Sequence, residues 1–194
     1  MSTPQVAIAM DWGGTWTRTA VIDRQGEILW QSRQTNPQGG TKEEYLSNAE
    51  GLLAAAIQHA GGPVAGIGAA VAGPVEPVTG TFYQPPNLMV LDRVSFKALW
   101  EAAFSVPVWV GNDANLAAFG EYYFGAGKES ADNGRPVKTL FYVTVSTGVG
   151  GGVVDNGSVF LGANGLTGEI GHTLVDTTSA ALKCQCGARG CLEA

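Results

Sequence analysis

The sequence has no cluster of lysine and arginine, no apolar run of membrane-spanning length and only three cysteines. Each shortage excludes something. A protein that grips nucleic acid through its phosphates needs a basic patch. This chain has a net charge of −6 and no such patch, so nucleic acid is not an expected partner. The stretch GIGAAVAG is too short and too glycine-rich to span a bilayer, so no membrane partner is expected. The opening MSTPQVAIAMDWGG lacks the basic segment and apolar core of a signal peptide. Charge tracts and low-complexity segments are also missing, which argues against bulk disorder. The cysteines are odd in number and too close together to staple a domain of 194 residues. A reducing, cytoplasmic setting is the expectation.

What is present is a core and much glycine. Hydrophobic residues make up 45% against 14% charged, enough for one large domain or two small ones. The 28 glycines imply tight turns and close backbone approaches, so their positions matter.

Residues 5–10 read as a buried strand, followed by the turn DWGGT and a second strand, TRTAVID. Asp23 to Gly26 form a hairpin turn into a third strand, EILWQSRQT. Residues 41–60 read as a helix with Thr41 as N-cap, Glu44 completing a capping box, and Gly61-Gly62-Pro63 as the stop. Leu46, Ala49, Leu53 and Ile57 recur at helical spacing. PVAGIGAAVAG is a buried strand, and a loop rich in proline and glycine runs on to Asn87. Residues 95–104 form a short helix capped by Ser95, 107–111 a strand, and NDANLAAFGEYYFG a helix directly after it. KTLFYVTVSTGVGGGVV holds two strands joined at a glycine cluster. Strands open the chain, then helix and strand alternate, which makes it α/β with a mixed sheet. The hairpin at 138–154 echoes the one at 5–23, which suggests two related lobes facing a shared ligand.

The glycine turns have two readings. Consecutive backbone N–H groups without a Cβ nearby suit phosphate oxygens. Gly13, Gly14 and Thr15 then form one phosphate turn, and Ser146, Thr147 and Gly148 a second. Asp11 is placed to hold a hydrated Mg²⁺ beside them. The other reading is two ordinary hairpin turns. Neither turn is a P-loop, because no Gly-Lys-Ser/Thr is present.

Asn112-Asp113 lies where a strand meets a helix. Asp113 either caps that helix or acts as a general base at the carboxyl end of a strand, with Asn112 holding a neighbouring hydroxyl.

His172, Cys184, Cys186 and Cys191 follow the spacing H-x₁₁-C-x-C-x₄-C. One nitrogen and three sulfurs suit tetrahedral Zn²⁺, and with all four positions filled the ion would be structural. Gly187 and Gly190 would let the chain wrap it. A disulfide or free buried thiols are the alternatives. Glu169 and Glu193 flank the cluster, either as acceptors for sugar hydroxyls or as surface carboxylates. His172 can face the metal, the substrate, or both.

DWGGT, GNDAN, STGVGGG, GEIGH and CQCGARGCLE, in that order along the whole chain, resemble the ROK family. That family groups bacterial sugar kinases with sugar-responsive repressors. The resemblance implies an actin-like ATPase (ribonuclease H-like) fold, with two α/β lobes around a cleft. The N-terminal lobe would cover 1–110 and the start of the second 111–194, which would be incomplete because family members run well past CLEA. It implies ATP-dependent phosphorylation of a hexose, glucokinase-like and often at the 6-hydroxyl, with Mg²⁺. Asp113 matches the family's catalytic base. Asn112, Glu169, His172 and Glu193 match its sugar-binding positions, and Asn87 resembles a position near the sugar. His172, Cys184, Cys186 and Cys191 match its zinc ligands, so the zinc would order a wall of the sugar pocket. A homodimer is expected of the full-length form. The alternatives are a sugar-binding regulator of the same family, disfavoured by the acidic charge and by the roughly ten residues before Asp11, and a non-catalytic fragment.

Overall fold

The computed structural model describes residues 6–146, 148–163 and 165–194. Gln5, the expected start of the first strand, lies outside the described residues. The chain divides into two compact units, Met1–Asp113 and Ala114–Ala194.

The first unit is built on a five-stranded mixed sheet. Its strands are β1 (Val6–Trp12), β2 (Trp16–Asp23), β3 (Ile28–Thr35), β4 (Val64–Val71) and β7 (Val108–Asn112), in the order β3-β2-β1-β4-β7. The opening meander β1-β2-β3 is antiparallel, while β4 and β7 run parallel to β1. Alternation does the work in β1: Ile8, Met10 and Trp12 are buried and the residues between them are half-buried. The expected turn DWGGT is shorter than its motif, because β1 carries on through Asp11 and Trp12.

Helix α1 (Lys42–Ala60) starts on the expected capping box. Thr41 Oγ1 accepts from the Glu44 N–H at 3.2 Å, and the Glu44 carboxylate accepts from the Thr41 N–H at 2.7 Å. Gly61 ends the helix in the left-handed region. The helix buries Ala49, Leu52, Leu53 and Ala56.

The loop expected up to Asn87 contains a small hairpin, β5 (Val75–Glu76) with β6 (Thr81–Phe82). Helix α2 (Lys97–Phe104) begins two residues later than expected, with Phe96 rather than Ser95 at its N-cap. The Ser95 hydroxyl is hydrogen-bonded to the Thr81 hydroxyl instead, so it is not available to the helix. Phe96 and Trp100 join Trp12 and Phe82 in an aromatic cluster, all four fully buried. Trp12 stacks on Trp100 with centroids 5.4 Å apart at 28°, and meets Phe82 and Phe96 edge-on. Such pairs add about 0.5–1.5 kcal/mol each beyond the area they bury.

The second unit contains most of α3 (Asp113–Tyr123), then α4 (Ala126–Asp132) and an antiparallel sheet. The sheet strands are β8 (Thr139–Val145), β9 (Val149–Asp155) and β10 (Ser158–Val159), ordered β10-β9-β8. Gly150, Gly151 and Gly152 lie inside β9, and packing explains them. A Cβ on Gly152 would sit 2.7 Å from the Ala114 carbonyl oxygen and 2.9 Å from Ala118 Cβ. The helix approaches the strand backbone that closely because no side chain intervenes. After β10 the described residues form no further α-helix or extended strand and run through a 3₁₀ turn, Ile170–His172, and the cysteine segment. Among the described residues no helix is long and apolar enough to cross a membrane.

Candidate active site

Register brings three strand ends of the first unit to one level. Trp12 pairs with Val71 and Val71 with Asn112; one step back, Asp11 pairs with Ala70 and Ala70 with Gly111. The turn Gly13–Thr15 and the junction Asn112–Asp113 therefore leave the carboxyl edge of parallel strands, where open α/β sheets hold their ligands. Asn112 is the half-buried last residue of β7, and Asp113 is the exposed first residue of α3.

The glycine turn is tightly closed. The Gly13 N–H donates to the Trp16 carbonyl at 3.0 Å, and the Thr15 carbonyl accepts from the Asn36 N–H at 2.9 Å. Asn87 lies directly against it: a Cβ on Gly14 would be 2.6 Å from Asn87 Cβ. The structure thus unites Gly13, Gly14, Thr15 and Asn87. Asp11 is half-exposed and its carboxylate accepts from Arg18 at 2.6 Å. Arg18 escaped the sequence reading, though a residue on the partner strand opposite Asp11 is where a counter-charge belongs. The pair is open to solvent, so its energetic weight is about 0–1 kcal/mol.

The second unit gathers the other candidates. A ring nitrogen of His172 and the three cysteine sulfurs all lie within 4.8 Å of one another. Cys184 Sγ is 3.7 Å from His172 Nδ1, and Cys186 Sγ is 3.8 Å from Cys191 Sγ. A tetrahedral zinc with metal–sulfur bonds of about 2.3 Å holds its sulfurs about 3.8 Å apart, so the residues fit that ion. The expected wrapping is present: the Cys184 N–H donates to Ala188, the Gly187 N–H returns to Cys184, and Gly187 and Gly190 both have positive φ.

The crowding sets the thiol chemistry. At Cys184 the Cys186 N–H favours the thiolate, but burial and hydrogen bonds with Cys186, Glu193 and Cys191 outweigh it and push the thiol up to about 12. Burial, with Cys186 next, raises Cys191. The Ala188 N–H and Cys184 lower Cys186. Protonated thiols packed together in this way are donors that a cation would deprotonate.

The two glutamates differ. Glu169 is exposed, 3.8 Å from His172 Nε2, so the two ring nitrogens of His172 face different partners. Glu193 turns inward. Its Oε2 accepts from the Val149 N–H at 3.2 Å, and its Oε1 lies 3.3 Å from Cys184 Sγ and 3.5 Å from His172 Nδ1. Burial opposes its ionisation, but the Val149 N–H, the Cys184 thiol and His172 together hold its carboxyl below the usual range. Gly148 sits beside the same carboxylate, its notional Cβ 3.0 Å from Oε2, and its carbonyl accepts from the Ser146 N–H. Thr147 lies outside the described residues.

Known proteins share this arrangement of sequence and fold. The ROK family model matches residues 7–194. A glucokinase from Halalkalibacterium halodurans is 37% identical over 190 residues, covering 96% of this chain and 54% of the relative. A putative xylose repressor from a Caldicellulosiruptor species is 35% identical over 189 residues, covering 96% of this chain and 45% of the relative. The crystal structure of a ROK family glucokinase from Streptomyces griseus, in complex with glucose and AMPPNP, superposes with a TM-score of 0.78 at 32% identity. That match covers 97% of this chain and 56% of the other. The chain spans about half the length of the curated relatives it matches. With the family model matching nearly its whole length and an α/β mixed-sheet fold like that of the ROK kinases, the chain belongs to the ROK family.

Proposed function

We propose that the chain is part of an ATP-dependent hexose kinase, glucokinase-like, that phosphorylates a sugar hydroxyl, by preference the 6-hydroxyl. The observation that carries this reading is the shared carboxyl edge: the strand register sets the Gly13–Thr15 turn and Asn112–Asp113 at one end of the parallel strands. The likeness to glucokinases supports it.

In this reading Asp113 accepts the proton of the attacking hydroxyl as the oxygen bonds to the γ-phosphorus and the bond to ADP breaks. Asn112, Asn87, Glu169, His172 and Glu193 bind sugar hydroxyls. The amides of Gly14, Thr15 and Gly148, with Thr147, meet the phosphates, and Gly13 closes the first turn through its own N–H bond to Trp16. Asp11 would hold Mg²⁺, which supplies neutralisation of phosphate charge when bound. His172, Cys184, Cys186 and Cys191 would hold a structural zinc that fixes the loop carrying His172 and Glu193. A coupled ATP assay over a panel of hexoses tests the activity, and Asp113→Ala is expected to lower turnover by at least about 100-fold. Undiminished turnover in that variant removes Asp113 as the base.

A sugar-responsive regulator is the second reading, favoured by the likeness to a putative xylose repressor. It expects sugar binding without phosphoryl transfer.

A further inference from the structure

Asn36 is polar, follows β3 and is 2% exposed. Its carboxamide oxygen accepts twice, from Thr17 Oγ1 at 2.5 Å and from Asn48 Nδ2 at 3.2 Å. Two backbone carbonyls on the other side fix which way the amide faces, because only its NH₂ can donate to them, and Thr17 and Asn48 then hold its oxygen. Its Nδ2 is thereby aimed at the glycine turn, donating to the Gly13 carbonyl at 2.6 Å and the Gly14 carbonyl at 3.2 Å. Its backbone N–H takes the next carbonyl, Thr15, at 2.9 Å. One residue therefore holds three consecutive carbonyls.

The planar trans peptide turns this grip into a statement about the opposite face. Within one peptide unit the C=O and N–H point in opposite directions. Holding the Gly13 carbonyl toward Asn36 sends the Gly14 N–H away from it, and holding the Gly14 carbonyl does the same to the Thr15 N–H. Among the described residues neither of these N–H groups makes a hydrogen bond. Two adjacent amides facing out on one side form an anion-binding concavity.

We propose that Asn36, with its amide held by Thr17 and Asn48, is the positioning residue that aims the Gly14 and Thr15 amides at the phosphates of the nucleotide. This rests on the kinase reading above. Asn36 touches no reacting atom. It acts by fixing two peptide planes before the nucleotide arrives, so its contribution appears in nucleotide binding and not in sugar binding.

The test compares Asn36→Asp with the wild-type protein by NMR titration with Mg-AMPPNP and, separately, glucose. The variant keeps the accepting oxygens but sets a carboxylate oxygen against the two carbonyls. In the wild type AMPPNP is expected to shift the Gly14 and Thr15 amide resonances. In Asn36→Asp those shifts are expected to vanish and AMPPNP affinity to fall at least tenfold, with glucose affinity changed less than twofold. Should Asn36→Asp not fold, Thr17→Val removes one of the two donors that hold the amide and is expected to weaken AMPPNP likewise, while Thr17→Ser retains binding. A folded Asn36→Asp that binds AMPPNP as the wild type does overturns the proposal and leaves the kinase reading standing. A wild-type protein whose Gly14 and Thr15 amides ignore AMPPNP overturns both.

Discussion

Gly14→Ala puts a methyl group where Asn87 already is. The new Cβ would lie 2.6 Å from Asn87 Cβ, about 0.8 Å inside the 3.4 Å at which ordinary contact begins. The Asn87 carbonyl oxygen, 3.3 Å away, blocks a sideways escape. Neither atom is the far end of a flexible side chain, so backbone must give. Overpacking of this sort costs about 1–3 kcal/mol. The functional cost follows from the displacement: a misplacement of about 1 Å in positioning machinery can lower turnover about 100-fold. A shift slightly smaller than that predicts a loss of tens of fold in kcat/KM for ATP, and AMPPNP affinity should weaken in parallel. Calorimetric binding, a coupled hexose phosphorylation assay and thermal melting read the three effects. The double variant Gly14→Ala/Asn87→Gly separates clash from chemistry, because it removes the obstructing Cβ. It should recover about 1 kcal/mol or more of the lost stability as a coupling energy, without recovering the sugar contact assigned to Asn87. A Gly14→Ala protein with wild-type melting and AMPPNP affinity refutes the packing argument. So does a double variant whose destabilisation is the plain addition of the two single changes.

Three further outcomes follow from the second unit. Metal analysis should find one zinc per chain, lost in Cys184→Ser. Cys184 and Cys191 are held above the usual thiol range, so both release a proton to the solvent on binding. Apparent zinc affinity should then rise with pH, by at least about 100-fold per unit near neutrality, and a pH-independent competition titration contradicts it. Gly152→Ala should destabilise the protein by about 1–3 kcal/mol in urea unfolding, since its Cβ would press on α3 backbone; an unchanged midpoint removes packing as the reason for that glycine.

Local signals were readable where the interacting residues are sequence neighbours. The Thr41–Glu44 capping box spans three residues, and both of its bonds are present. The His172–Cys191 spacing foretold four donors in one place because the segment folds on itself. Features decided by distant contacts were not readable. Ser95 looks like a cap, but the hydroxyl of Thr81, brought alongside by β6, claims it. The run Gly150–Gly152 looks like the joint between two strands, yet it is strand backbone cleared for α3 and the loop around Gly168. Helix α4 has seven residues and no side-chain cap, too little for apolar periodicity to announce it. Asn36, in the string TNPQGG, reads as a turn residue; its partners at Gly13, Gly14 and Thr17 lie 19 to 23 positions away.

The stacked indoles of Trp12 and Trp100 have an optical consequence. Two rings 5.4 Å apart at 28° should couple their electronic transitions, giving a split signal in circular dichroism. Both are fully buried, so their emission should lie to the blue of that of Trp109, which is 60% exposed. Trp12 is joined directly to Gly13. Any ligand that strains the turn therefore pulls on one member of this pair, and the protein carries its own label-free gauge of events at that edge of the sheet.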